Sequence, residues 1–212
     1  MNNKVYLIRH AESESNTGGV FEHQNTIKIT ENGKKQAEIL ALALEKPDKI
    51  ICSSHIRTIE TAEPLLKRYL EKEIHIWMDV HEFQPIDPQK YRGIMTEQRD
   101  IFHEQYWLKM DPHYADSDQN ESFEDFIERA NSSILKMKKL KGASYIFTHG
   151  NYIRGVITLL THFKDYNSSK KNQNLYQNIM KEFTKSYLEG TLRIKNVGIF
   201  ELSDLLNDYS EN

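Results

Sequence analysis

The chain has 212 residues, of which 38% are hydrophobic and 28% charged, with a formal net charge of −3 and a pI near 6.3. That balance fits a water-soluble globule and argues against a nucleic-acid partner, which needs a strongly basic face. The length suits one domain carrying an insertion. The single cysteine, Cys52, excludes an internal disulfide and fits a reducing compartment. It ends an apolar run and reads as a packed core thiol.

The start, Met1-Asn2-Asn3-Lys4, lacks a signal-peptide apolar stretch, and no apolar run approaches the roughly 18 residues of a membrane span. The expectation is a cytoplasmic protein without a membrane partner.

Lys4 to Ile8 is a short apolar run, read as a buried strand, that stops at Arg9-His10. Glu14 to Ile29 is polar and reads as a loop. Thr30 can cap a helix from Glu31 with Ala37, Leu40, Ala41 and Leu44 on one face, ended by Pro47-Asp48. A second strand, Lys49–Cys52, leads to Ser53-Ser54 and a helix from about Ile56 to Leu70. Ile74-His75-Ile76-Trp77 alternates like a third strand. From Met78 to Asn120 the pattern weakens into a long excursion, with a short helix near Glu97–Lys109.

Ser122 with Asp125 forms a capping-box pattern before a helix bearing Phe123, Phe126, Ile127, Ala130 and Ile134. Ser144 to Thr148 is another strand ending at His149-Gly150. Ile153, Val156, Ile157 and Leu160 then mark a helix. The polar insertion at about 164–190 places Tyr176, Ile179, Met180, Phe183 and Tyr187 at helical spacing, as a helix packed on the core or as a lid or dimer contact. Leu192–Lys195 and Gly198–Leu202 are terminal strand candidates. Alternating helices and strands predict an α/β fold with a mainly parallel sheet flanked by helices on both faces.

In such sheets ligands bind beyond the carboxyl ends of the strands. Three strand ends bring Arg9 and His10, Arg57, and His149. Two guanidiniums and two imidazoles make a cage for a dianionic phosphoryl group. A neutral imidazole such as that of His10 can attack phosphorus.

These residues carry a resemblance. Leu7-Ile8-Arg9-His10-Ala11-Glu12-Ser13 resembles the Arg-His-Gly/Ala-Glu-Ser motif of the histidine phosphatase superfamily, the phosphoglycerate mutase-like proteins. Thr30 to Ala37, Ser53 to Ala62, Glu121-Ser122-Phe123 and Thr148-His149-Gly150 resemble further blocks in the family's order. The resemblance implies a three-layer α/β/α fold and a phosphohistidine intermediate on His10. It implies phosphoryl binding by Arg9, Arg57, Asn16 and His149, the last donating a hydrogen bond to the phosphoryl group. It places the general acid after the third strand, where Glu82 is the matching position and Asp79, His81 and Asp87 are neighbours. Such an acid needs a raised pKa to hold its proton. Glu12 and Ser13 are read as braces of the loop.

The expected activity is hydrolysis of phosphomonoesters without cofactor or metal, on a small phosphorylated molecule or, within the same chemistry, a phosphoprotein. A homodimer is compatible with it. Cofactor-dependent mutase chemistry is the main alternative. The segment Pro88 to Glu97 only faintly echoes the mutases' sequence after the acid, and the Gly-Trp-Glu-Gly pattern of several sugar-phosphate phosphatases is missing. A metallohydrolase using His10, His149 and Glu82 is disfavoured because Arg9 would repel the cation. A non-catalytic binding module would be expected to lose His10 or an arginine. Tyr91, Arg92, Trp107 and His113 are candidates for the approach to the site.

Overall fold

The computed structural model describes residues 3–18, 23–94, 96–190 and 192–209. Five strands form one sheet: β1 (Lys4–Arg9), β2 (Lys49–Cys52), β3 (Ile74–Ile76), β4 (Ala143–Thr148) and β5 (Ile199–Glu201). Their order across the sheet is β3-β2-β4-β1-β5. The first four run parallel, and β5 joins the edge antiparallel to β1. All four parallel strands therefore discharge their carboxyl ends on one side, which is where His10, Ser53 and His149 follow.

The two-residue period of a strand sorts its side chains between the faces. Leu7, Ile51 and Ile146 point into the larger core, while Ile8, Ile50, Cys52, Tyr145 and Phe147 point into the smaller one. Helices α1 (Glu31–Ala43) and α2 (Ile56–Arg68) cover the smaller face with Leu40, Ala41, Ala62 and Leu65. On the other face lie α4 (Phe123–Met137), α5 (Gly150–His162), α6 (Gln173–Leu188) and the short α7 (Ser203–Asp208). The helix α3 (Thr96–Lys109) belongs to the excursion that crosses the strand ends. The result is the three-layer arrangement the alternation predicts.

Local sequence explains the helix starts. Thr30 accepts a hydrogen bond from the Gly33 amide, and Ser122 and Asp125 form the reciprocal capping box before α4. The α6 helix packs Tyr176, Ile179, Met180 and Phe183 into the main core. The insertion is therefore held by burial of an apolar face, the first of the two readings its spacing allowed. Cys52 is fully buried with its thiol pKa pushed up by desolvation, as a core thiol should be.

One expected strand is absent. Leu192–Lys195 forms no ladder. Its carbonyls serve arginines instead: Ile194 accepts from Arg9 and Leu192 from Arg154. The expected loop at 14–29 contains two short 3-10 turns, Glu14–Thr17 and Gln24–Thr26.

Gly33 is required by close approach. A Cβ there would lie 2.1 Å from the backbone oxygen of Glu12, in the loop that follows His10. Gly33→Ala should lower stability by about 1–3 kcal/mol, the usual range for forcing extra atoms into a packed site. A thermal melt matching the parent would show that this contact relaxes freely.

Candidate active site

The loop after β1 is braced by residues from the other sequence blocks. The Ala11 amide donates to Thr61 Oγ1, and the Glu12 amide donates to Gln36 Oε1. The Glu12 carboxylate accepts from Thr30 Oγ1 at 2.6 Å and from Asn32 Nδ2 at 3.0 Å. Glu12 thus ties the His10 loop to the start of α1, the bracing role its sequence suggested.

His10 is almost fully buried, and its Nδ1 lies 2.7 Å from the Ala11 carbonyl oxygen. A carbonyl can only accept, so Nδ1 carries the proton and Nε2 keeps its lone pair. Burial first, then Arg57 and Arg9, hold the His10 pKa well below its ordinary value. The imidazole is therefore neutral at physiological pH, with one nitrogen ready to attack.

Among the described residues neither guanidinium around it forms a direct ion pair, though the Glu82 carboxylate in the same cleft acts on both. Arg9 gives Nη1 to the Ile194 carbonyl, and its buried Nε has no hydrogen-bond partner. Arg57 gives Nη1 to the Gln24 carbonyl at 2.6 Å and Nη2 to His149 Nδ1 at 3.1 Å, again with a buried, unpartnered Nε. Desolvation pushes the Arg57 pKa down to about 10, which leaves it charged near neutral pH. Buried positive charge with unused donors is a site prepared for an anion.

His149 stands one layer behind. Its ring centroid is 5.3 Å from that of His10, and its side chain is fully buried. Arg57 can only donate to Nδ1, so the proton of His149 sits on Nε2 and goes to Ser53 Oγ at 2.7 Å. Burial and then Arg57 hold its pKa well below normal. Both nitrogens are engaged with protein, and His149 reaches the anion site through Arg57.

Asn16 borders the cleft. Its Oδ1 accepts from the Ser13 amide, Ser13 Oγ and Asn196 Nδ2, each at 3.1 Å. With the oxygen so committed, the Nδ2 hydrogens are the ones available to a ligand.

Glu82 also lines the cleft, with Arg9, His10, Asn16 and Arg57. Its carboxylate sits at the amino end of α5. Oε1 accepts from the Phe83 and Tyr152 amides at 3.0 and 3.1 Å, and Oε2 faces the Asn151 amide at 3.4 Å. These donors fix the direction in which the carboxylate points. The neighbouring acids are occupied elsewhere: Asp79 pairs with Lys136, and Asp87 caps the turn at Gln89. His81 donates Nδ1–H to the Met78 carbonyl.

The cleft holds about 200 Å³, and its far wall carries Arg99, Asp100 and His103 of α3 with Asn151 and Gln84. Three of the four approach candidates do not border it. Trp107 is in the core, His113 pairs with Glu124, and Arg92 is exposed; the side chain of Tyr91 lies outside the described residues. Sequence reasoning missed His55, which is buried, packs 4.7 Å from His149 and has a pKa pushed down to about 3, chiefly by burial. Its position inside the Ser53–Ala62 block was the available signal. Asn151, directly after Gly150, was another.

Among the described residues no group of three or more His, Cys, Asp or Glu is placed to hold a metal ion, and no helix is long and apolar enough to cross a membrane.

The sequence profile of the histidine phosphatase superfamily (branch 1) matches residues 5–179, and the chain belongs to that family. A Hydrogenobacter thermophilus protein provisionally named phosphoserine phosphatase 2 is 27% identical over 162 residues, covering 74% of this chain and 78% of the relative. A 2,3-bisphosphoglycerate-dependent phosphoglycerate mutase of Buchnera aphidicola subsp. Cinara cedri is 29% identical over 91 residues. That match spans 43% of this chain and 40% of the mutase, less than half of either. Among solved structures, the phosphoserine phosphatase of Entamoeba histolytica in complex with 3-phosphoglyceric acid superposes with a TM-score of 0.66 at 21% identity. It covers 93% of this chain and 89% of its own, and shows the shared fold. Family and relatives together support a phosphatase or mutase enzyme.

The buried neutral imidazoles give a stability prediction. His10, His55 and His149 all have folded-state pKa values below the ordinary value, which is roughly 6.5. The unfolded chain therefore takes up protons that the folded chain refuses, and stability falls as pH drops below that value. The thermal midpoint should decrease between roughly pH 7 and pH 5, above the range where carboxylates titrate. A level or rising midpoint over that window would contradict the neutral assignment.

Proposed function

We propose that the protein hydrolyses small phosphomonoesters through a phosphohistidine on His10, without a metal or a cofactor. The observation that carries this reading is the hydrogen bond from His10 Nδ1 to the Ala11 carbonyl, which leaves a bare Nε2 beside two guanidiniums whose buried Nε atoms have no hydrogen-bond partner.

The reaction follows from these groups. Arg9, Arg57 and the Asn16 amide bind the phosphoryl oxygens and neutralise their charge. His10 Nε2 forms a bond to phosphorus as the ester P–O bond breaks. Glu82 gives its proton to the leaving oxygen. A water molecule then attacks the phosphohistidine, its proton passes to the Glu82 carboxylate, and the P–N bond breaks. Inorganic phosphate leaves, and His10 is again neutral. His149 keeps Arg57 in place throughout.

A cleft of about 200 Å³ lies below the roughly 300–1,000 Å³ that suits drug-sized ligands. It suits a small substrate better than a phosphoprotein. The charged wall from α3 favours a substrate with a second polar or charged group. The weak match to the mutases after Glu82 favours water over a second sugar-phosphate hydroxyl as the final acceptor.

Quenching turnover of a labelled phosphomonoester should trap acid-labile phosphate on His10, lost in His10→Ala. Label on serine, or full activity in that variant, would overturn the reading. Mutase activity assayed in parallel would instead reveal transfer to an acceptor hydroxyl. Activity should survive prolonged chelation, and rescue of a chelated enzyme by a divalent ion would oppose the metal-free chemistry. Glu82→Gln should slow alkyl phosphates by about 10²–10⁴-fold, the usual contribution of general acid catalysis. Aryl phosphates, whose leaving groups need less protonation, should slow much less. Equal losses would make Glu82 a pocket wall rather than the acid.

A further inference from the structure

The Glu121-Ser122-Phe123 block has so far explained only the start of α4. Its glutamate makes a second connection. Glu121 binds Arg129 in bidentate fashion: Arg129 Nε donates to Oε2 at 2.9 Å and Nη2 to Oε1 at 2.6 Å. Both side chains are mostly buried, at 15% and 16% exposure.

The remaining nitrogen of Arg129 reaches the segment just before Glu82. Nη1 donates to the Asp79 carbonyl at 2.8 Å and to the His81 carbonyl at 3.1 Å. The carbonyl between them, that of Val80, accepts from Thr148 Oγ1 at 2.5 Å. Three successive carbonyls leading into Glu82 are thus held by side chains, from α4 and from the end of β4. The Arg129 guanidinium also lies 5.8 Å from the ring of Tyr152, whose amide donates to the Glu82 carboxylate. Backbone and carboxyl of Glu82 are fixed from two directions by one cluster.

We infer that Arg129, clamped by Glu121, is a positioning residue that sets Glu82 for proton transfer. This rests on Glu82 being the general acid. Arg129 does not border the cleft, so it reaches Glu82 through the segment it holds. A lysine keeps the charge but cannot span a carboxylate and two carbonyls at once. Loss of placement on the scale of 1 Å can cost about 10²-fold in rate.

The test is the leaving-group dependence of Arg129→Lys, measured beside Glu82→Gln on an alkyl phosphate and on p-nitrophenyl phosphate. Arg129→Lys should lower kcat for the alkyl ester by roughly tenfold or more. It should slow the aryl ester distinctly less and leave KM near the parent value. In the Glu82→Gln background the same change should cost nothing further on the alkyl ester.

Should Arg129→Lys fail to fold by circular dichroism, Glu121→Gln loosens the clamp more gently and should show the same split. Equal slowing of both esters, or an undiminished loss in the Glu82→Gln background, would overturn the inference while leaving the acid in place. Failure of both variants to fold would make the pair purely structural and overturn it as well. Absence of a split in Glu82→Gln itself would remove the acid assignment, and the positioning role with it.

Discussion

The site depends on keeping Arg57 charged where almost no water reaches it. A buried guanidinium normally draws a carboxylate, and a partner of that kind would cancel the field that an anion needs. Here the charge is solvated by dipoles instead: the Gln24 carbonyl, the lone pair of His149, and beyond it Ser53. The histidines pay for this by remaining neutral. Their low pKa values and the bare charge of Arg57 are two sides of one electrostatic arrangement.

That arrangement closes into a ring. Arg57 binds Gln24; Gln84 bridges Gln24 Oε1 and His55 Nε2; the His55 amide meets Ser53 Oγ; Ser53 meets His149, and His149 returns to Arg57. Its members come from segments following all four parallel strands. Each loop is thereby fixed by its neighbours as well as by its own strand.

The strand ends were legible because chemistry and local pattern coincide there. Apolar runs stopping at Arg9-His10, Ser53 and His149 announce both the sheet and its working edge. The Thr30 and Ser122 caps were equally plain, since capping is a local rule. Residues whose value comes from distant partners were not legible. Gln24 sits in an aperiodic polar stretch, and nothing near it in sequence announces Arg57. His149 was expected to face the ligand; only the fold shows that Arg57 and Ser53 occupy its two nitrogens. Leu192–Lys195 has a strand's composition, but its Leu192 and Ile194 carbonyls go to Arg154 and Arg9.

The anchor of Arg9 has a consequence for synthesis. Its guanidinium is held by the carbonyl of Ile194, 185 residues further along, and Asn196 Nδ2 donates to the His10 carbonyl across a similar span. A ribosome adding roughly 5–20 residues per second needs on the order of 10–40 seconds to make the intervening chain. During that interval the Arg9 guanidinium and the His10 carbonyl await these partners. The strand between β1 and β2, β4, is itself complete only at residue 148, so both the centre of the sheet and the cluster of Arg9, His10, Arg57 and His149 at its edge are late products of translation.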